Sequence, residues 1–209
     1  MQTIKPGLYA LTNQLQGEAL KIAVTAALQG GISVLQYRDK TSDSQRRYNE
    51  AKMLKELCDE YQVPLIINDD INLTQEVAAA GVHLGKEDAP LALAREQLGE
   101  QAIIGISCYN SFALAQQAVC EGANYVAFGA CFPSLSKPNA TPTDLNTITL
   151  ARQQLNVPIV AIGGITLENA HQVLTAGANS LAVIHNLFNA ENIIEQAVAF
   201  RNLIQEFNS

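Results

Sequence analysis

Charge is scarce in this chain, and cationic charge scarcest. Charged residues make up 16% of the 209 positions, with 20 acidic and 13 basic residues, a formal net charge of −7 and a pI near 4.9. A typical globular chain carries about 25% charged residues, so most of this one is expected to pack into layers. The basic footprint that duplex nucleic acid requires is missing, and nucleic acid is set aside as a partner. The first residues carry no basic stretch leading into an apolar run, so no secretory signal is read there. Residues 101–120 carry no charge, but Gln101, Asn110, Gln116, Gln117 and Gly105 break the run into a strand and a helix; no membrane contact is expected. The four cysteines, Cys58, Cys108, Cys120 and Cys131, form neither a C-x-x-C pair nor a Cys/His cluster. That pattern predicts a reduced, cytoplasmic protein without structural zinc.

No composition break or linker interrupts the chain, and 48% hydrophobic content is enough for one substantial core. Short β-like runs alternate with longer helical patterns. The expected strands are Gly7–Thr12, Val34–Arg38, Pro64–Asn68, Gly81–Gly85, Ile103–Ser107, Tyr125–Gly129, Pro158–Gly163 and Ser180–His185. Between them lie amphipathic segments such as Gln45–Tyr61, with apolar Met53, Leu54, Leu57 and Tyr61 at helical spacing. Gly30–Gly31, Gly81, Gly122 and Gly177 stand where a left-handed helix terminus is expected. Eight strands each followed by a helix predict a single (β/α)₈ barrel over residues 1–209, near the lower size limit of about 200 residues. An open doubly wound sheet would place a Gly-rich turn after the first strand, where Thr12–Asn13–Gln14 stands instead. Residues 130–146 form the one long irregular stretch, and such loops tend to be functional.

Barrel active sites lie at the C-terminal strand ends. The second strand ends Gln36–Tyr37–Arg38–Asp39–Lys40, where period-two alternation puts Gln36, Arg38 and Lys40 on one face. Turned inward, that face brings an amide and two cations to the mouth; turned outward, it is a solvated strand end. Asp69 follows the third strand and Asp88 the fourth, close enough to share a hard cation such as Mg²⁺. Asp88 precedes Ala89–Pro90, so helix capping is an equally good reading of that residue. Lys137 is the only cation between Arg95 and Arg152 and sits in Ser134–Leu135–Ser136–Lys137–Pro138. Two hydroxyls and an ammonium make either a phosphate-binding segment or a surface loop with one solubilising lysine. The seventh strand leads into Gly163–Gly164 and the eighth into Ile184–His185, the position of the recurring phosphate site of these barrels. Ser107 adds a hydroxyl at the fifth strand end. His83 reads as a satisfied core residue and His171 as a mid-helix one, while His185 falls in the phosphate region. No Ser-His-Asp or Cys-His arrangement follows from the order of residues. These residues together predict a barrel that binds small phosphorylated molecules.

Leu8–Tyr9 with Leu11–Thr12, Gln36–Tyr37–Arg38–Asp39–Lys40, Ile66–Ile67–Asn68–Asp69, Gly81–Val82–His83–Leu84–Gly85 through Glu87–Asp88, Ile104–Gly105–Ile106–Ser107 and Ala161–Ile162–Gly163–Gly164–Ile165–Thr166 resemble, as an ordered set along the whole chain, the thiamine-phosphate synthase family. That family joins an aminopyrimidine diphosphate to a thiazole phosphate and releases pyrophosphate. The resemblance implies that Gln36, Arg38, Lys40, Asn68, Ser107 and Lys137 hold the pyrimidine diphosphate, with Arg38, Lys40 and Lys137 acting catalytically on the leaving group. It implies Mg²⁺ on Asp69 and Asp88, and the thiazole phosphate on Ser134, Ser136, Gly164, Ile184 and His185. Departures from the family pattern are serines for threonines at 134 and 136, Lys86 for glutamine, Asp70 for arginine, Asp144 for glycine and His185 for serine. A thiazole tautomerase on the same barrel, which generally lacks the full Gln-x-Arg-x-Lys set, and a non-catalytic barrel that binds thiamine precursors are the competing readings. The sequence leaves the oligomeric state open, a homo-oligomer included.

Overall fold

The computed structural model describes residues 3–133 and 143–208. Its strands are β1 (Gly7–Leu11), β2 (Val34–Tyr37), β3 (Leu65–Asn68), β4 (Gly81–Leu84), β5 (Ile103–Tyr109), β6 (Tyr125–Phe128), β7 (Ile159–Ile162) and β8 (Ser180–Val183). Every strand pairs in parallel with its sequence neighbour, and β8 closes on β1, giving the predicted eight-stranded barrel. The helices are α1 (Gly17–Gln29), α2 (Ser44–Glu60), α3 (Ile71–Glu76), α4 (Leu91–Leu98), α5 (Phe112–Cys120), α6 (Leu145–Gln154), α7 (Ala170–Thr175), the short α8 (His185–Phe188) and α9 (Ile193–Asn208). Among the described residues no helix is long and apolar enough to cross a membrane.

In β1, β2, β4, β6 and β8 every residue on both faces is buried, which is why these strands read as apolar runs and not as alternating ones. The outward set, including Leu8, Leu35, Ile67, Val82 and Leu181, packs under the helices. The inward set, including Tyr9, Val34, Ile66, Ile103, Tyr125 and Val160, fills the barrel. Gly105 is an inward residue on β5, and a Cβ there would lie 1.9 Å from Cζ of Tyr125. The missing side chain is what lets that ring lie across the interior.

Three sequence expectations need correction. Gly31, Gly122 and Gly177 adopt the left-handed conformation, but Gly30 and Gly81 do not. After α3 that conformation falls to Ala78 (φ 51°), while Gly81 serves close packing, since a Cβ there would meet the Ile103 carbonyl oxygen at 1.8 Å. Strand β5 continues past Ser107 to Tyr109, through a register shift against β6. The long loop ends at Asp144, not at residue 146, because the Asp144 carboxylate accepts from the Asn146 N–H and starts α6.

Candidate active site at the C-terminal barrel mouth

A cavity of about 1750 Å³ opens at the C-terminal ends of the strands. Gln36, Arg38, Lys40, Asn68, Ser107, Gly164, Ile184 and His185 all line it, and Tyr37 and Asp39 do too, so both parities of the second strand end border the mouth. Gln36 is buried, while Arg38 and Lys40 are exposed at the rim. Thr12, at the end of β1, accepts from the Arg38 N–H at 2.9 Å and ties that rim to the neighbouring strand.

Asp69 stands just past β3 in the left-handed region (φ 64°), with its N–H donating to the His83 carbonyl at 2.8 Å. Its Oδ2 accepts from Asn68 Nδ2 at 2.6 Å and from Lys40 Nζ. Asp88 Oδ2 accepts from the Gly85 N–H at 2.6 Å. Burial, and next the neighbouring Asp69 carboxyl, push the Asp88 carboxyl above the usual carboxylate range. Helix α4 begins after Pro90 without a side-chain cap, so Asp88 is not that helix's cap. Among the described residues, no three or more His, Cys, Asp or Glu side chains group as a metal cluster.

Across the mouth, Gly163 and Gly164 take φ values of 102° and 62°, which a side chain would strain. Asn169 pins this turn, donating from Nδ2 to the Gly164 carbonyl and accepting from the Thr166 N–H, both at 2.9 Å. The Phe132 N–H donates to the Gly163 carbonyl at 3.0 Å, so the start of the long loop runs beside the glycine turn. Ser134, Ser136 and Lys137 lie outside the described residues. His185 opens α8 and Ile184 precedes it. Two departures from the family pattern have local partners: Asp70 caps α3 and pairs with Arg47 at 2.7 Å, and the Asp144 N–H donates to Asn110 Oδ1.

Beneath the rim lies a polar chain that sequence reasoning missed. Gln36 Nε2 donates to the Tyr9 hydroxyl at 2.8 Å. The Tyr9 and Tyr125 hydroxyls are 2.7 Å apart, and Tyr125 stands 2.9 Å from His83 Nδ1. His83 Nε2 is 2.9 Å from Ser107 Oγ. His83 is therefore the satisfied buried histidine expected from the sequence, and it also lines the cavity. Burial pulls its pKa down to about 4, against an opposing effect of Asp88, and burial holds both phenols well above their ordinary value. The missed signal was parity: Tyr9 and Tyr125 occupy inward strand positions, and Gly105, paired with Tyr125 across β5 and β6, makes the space.

A parallel barrel whose mouth gathers an amide, two cations and two carboxylates opposite a glycine turn defines a small-molecule enzyme of the (β/α)₈ class. A family model described as thiamine monophosphate synthase matches residues 8–187. The chain is 52% identical over 204 residues to the thiamine-phosphate synthase of Nitrosococcus oceani, covering 97% of this chain and 94% of that protein. It is 48% identical over 192 residues to that of Methylococcus capsulatus, covering 91% and 86%. The solved thiamine phosphate pyrophosphorylase from Pyrococcus furiosus superposes with a TM-score of 0.88 at 32% identity, with 97% of each chain covered. The chain belongs to the thiamine monophosphate synthase family.

Proposed function

We propose that the protein condenses 4-amino-2-methyl-5-(diphosphooxymethyl)pyrimidine with a thiazole ethyl phosphate, forming thiamine phosphate and pyrophosphate. The observation that carries this reading is a single cavity lined both by Gln36, Arg38 and Lys40 at the end of β2 and by Gly164, Ile184 and His185 after β7 and β8. Gln36, Asn68 and Ser107 hold the pyrimidine part, and Arg38, Lys40 and Lys137 take its diphosphate. Ser134, Ser136, Gly164, Ile184 and His185 hold the thiazole phosphate.

As the C–O bond from the pyrimidine methylene to the diphosphate breaks, negative charge gathers on the leaving group. Arg38, Lys40 and Lys137 stabilise it there. The methylene cation is spread into the aminopyrimidine ring, and the thiazole nitrogen, held in line, forms the new C–N bond with its lone pair. No protein nucleophile takes part. Asp69 and Asp88 fit a divalent cation, because the two carboxylates crowd one another and Mg²⁺ takes one or two carboxylates along with water and phosphate oxygens. When bound, Mg²⁺ supplies further charge stabilisation at the diphosphate.

The direct test is thiamine phosphate formation from the two substrates with Mg²⁺ and with EDTA. Product only with Mg²⁺ is expected. No product while both ligands still bind would move the assignment to a tautomerase or a non-catalytic barrel.

A further inference from the structure

The buried polar chain has a direction. Gln36 Nε2 donates to the Tyr9 hydroxyl, and an amide nitrogen accepts nothing in return. Tyr9 and Tyr125 are fully buried, so an unused phenol proton would be costly. The Tyr9 proton therefore lies toward Tyr125, 2.7 Å away. Tyr125 in turn donates to His83 Nδ1 at 2.9 Å. With Nδ1 accepting, the neutral imidazole carries its proton on Nε2, which faces Ser107 Oγ at 2.9 Å. Packing fixes the ring as well, since His83 stacks on Tyr125 with centroids 5.6 Å apart and planes 24° from parallel.

We infer that His83 is a positioning residue: the relay from Gln36 through Tyr9 and Tyr125 holds it as the Nε2–H tautomer, and that N–H occupies an acceptor lone pair of Ser107, presenting the Ser107 hydroxyl as a donor to the bound pyrimidine diphosphate. This rests on the reading of Ser107 as a ligand of that substrate. The relay joins Gln36 on β2 to Ser107 on β5, so two groups on opposite sides of the cavity are set by one chain of protons. Neither the relay nor the tautomer requires a bound ligand, and both are measurable in the free protein.

The test pairs imidazole ¹⁵N spectroscopy with kinetics. In histidine-labelled wild-type protein, the His83 resonance is assigned by its loss in His83→Gln. It should show an unprotonated Nδ1 and a protonated Nε2, and Tyr125→Phe should abolish that bias. Tyr125→Phe and Ser107→Ala should each lower kcat/KM for the pyrimidine diphosphate about tenfold, near the upper value of one neutral hydrogen bond. The double variant should lose no more than Ser107→Ala alone. His83→Gln, whose amide can still donate toward Ser107, should retain more activity than His83→Ala. An Nδ1–H tautomer, or additive losses in the double variant, would overturn the inference. Wild-type protein that shows Nε2–H but makes no thiamine phosphate overturns the synthase reading, whereas protein that makes product with Nδ1–H overturns this one.

Discussion

Gly105→Ala is the smallest change that should disturb both the barrel interior and the site above it. The added Cβ would sit 1.9 Å from Tyr125 Cζ and 2.3 Å from its hydroxyl oxygen. Restoring a 3.4 Å contact needs a relative shift of about 1.5 Å. A shift of that size breaks the 2.7 Å contact to Tyr9 and the 2.9 Å contact to His83. Overpacking costs about 1–3 kcal/mol, and each buried polar group left unpaired about 1–3 more. Partial relaxation of β5 offsets some of this, so a net loss of roughly 3 kcal/mol is expected. Each kcal/mol should lower Tm by about 2–4 °C in a chain of this size. Urea unfolding and calorimetry of Gly105→Ala measure the loss, and the same substitution in a Tyr125→Leu background isolates its cause. With the ring gone, the penalty should shrink by more than about 1 kcal/mol. A cost below about 0.5 kcal/mol, or an equal cost in both backgrounds, would refute the steric account.

Three further outcomes are expected. The folded-state pKa of His83 lies near 4 against an ordinary 6.5, so the unfolded chain binds the extra proton first. Stability contributed by the neutral ring is complete above pH 6.5 and declines as pH falls toward 4, by about 3 kcal/mol in all; His83→Gln should flatten that part of the pH–stability curve, and an unchanged slope would show that the ring does not titrate as its burial demands. Lys137→Ala should lower kcat by about 10²–10³-fold, and a loss under about threefold would remove Lys137 from the leaving-group site. Asp88→Asn should raise the Mg²⁺ concentration needed for half-maximal rate; an unchanged metal titration would leave Asp88 only its hydrogen bond to the Gly85 N–H.

The barrel was legible because its strands announce themselves twice, as short Val/Ile-rich runs and as apolar stretches buried on both faces. Gln36 was legible because its parity on β2 turns it into the barrel toward Tyr9, whereas Arg38 and Lys40 lie past the end of β2 and border the mouth together with Tyr37 and Asp39. The floor was not legible. Tyr9 and Tyr125 sit 116 residues apart, and nothing local marks either as polar machinery and not packing. Only the register of neighbouring strands brings their hydroxyls together. The reach of Asp88 was hidden for a similar reason: before Ala89–Pro90 it has the look of a cap, yet its carboxylate turns back to Gly85. Gly81 was misread because local sequence cannot separate a glycine needed for its φ from one needed for the carbonyl beside it.

The division between a charged rim and a neutral floor suits the proposed chemistry. A methylene cation born at this site is captured by any lone pair within reach, so the surfaces beneath it must be polar enough to orient substrate and poor as nucleophiles. The floor meets both conditions. Both phenols are held protonated by burial. His83 is neutral, and in the inferred tautomer its Nδ1 lone pair is covered by the Tyr125 hydroxyl, 2.9 Å away. On this argument Tyr125 protects as well as orients. Tyr125→Phe uncovers an imidazole lone pair under the forming cation, and the expected consequence is slow inactivation during turnover, with one pyrimidinylmethyl group bound to His83. Intact-mass analysis after many turnovers reads this directly: an adduct in Tyr125→Phe that is absent from wild type and from Tyr125→Phe/His83→Gln supports the protective role, and unmodified Tyr125→Phe protein after the same number of turnovers refutes it.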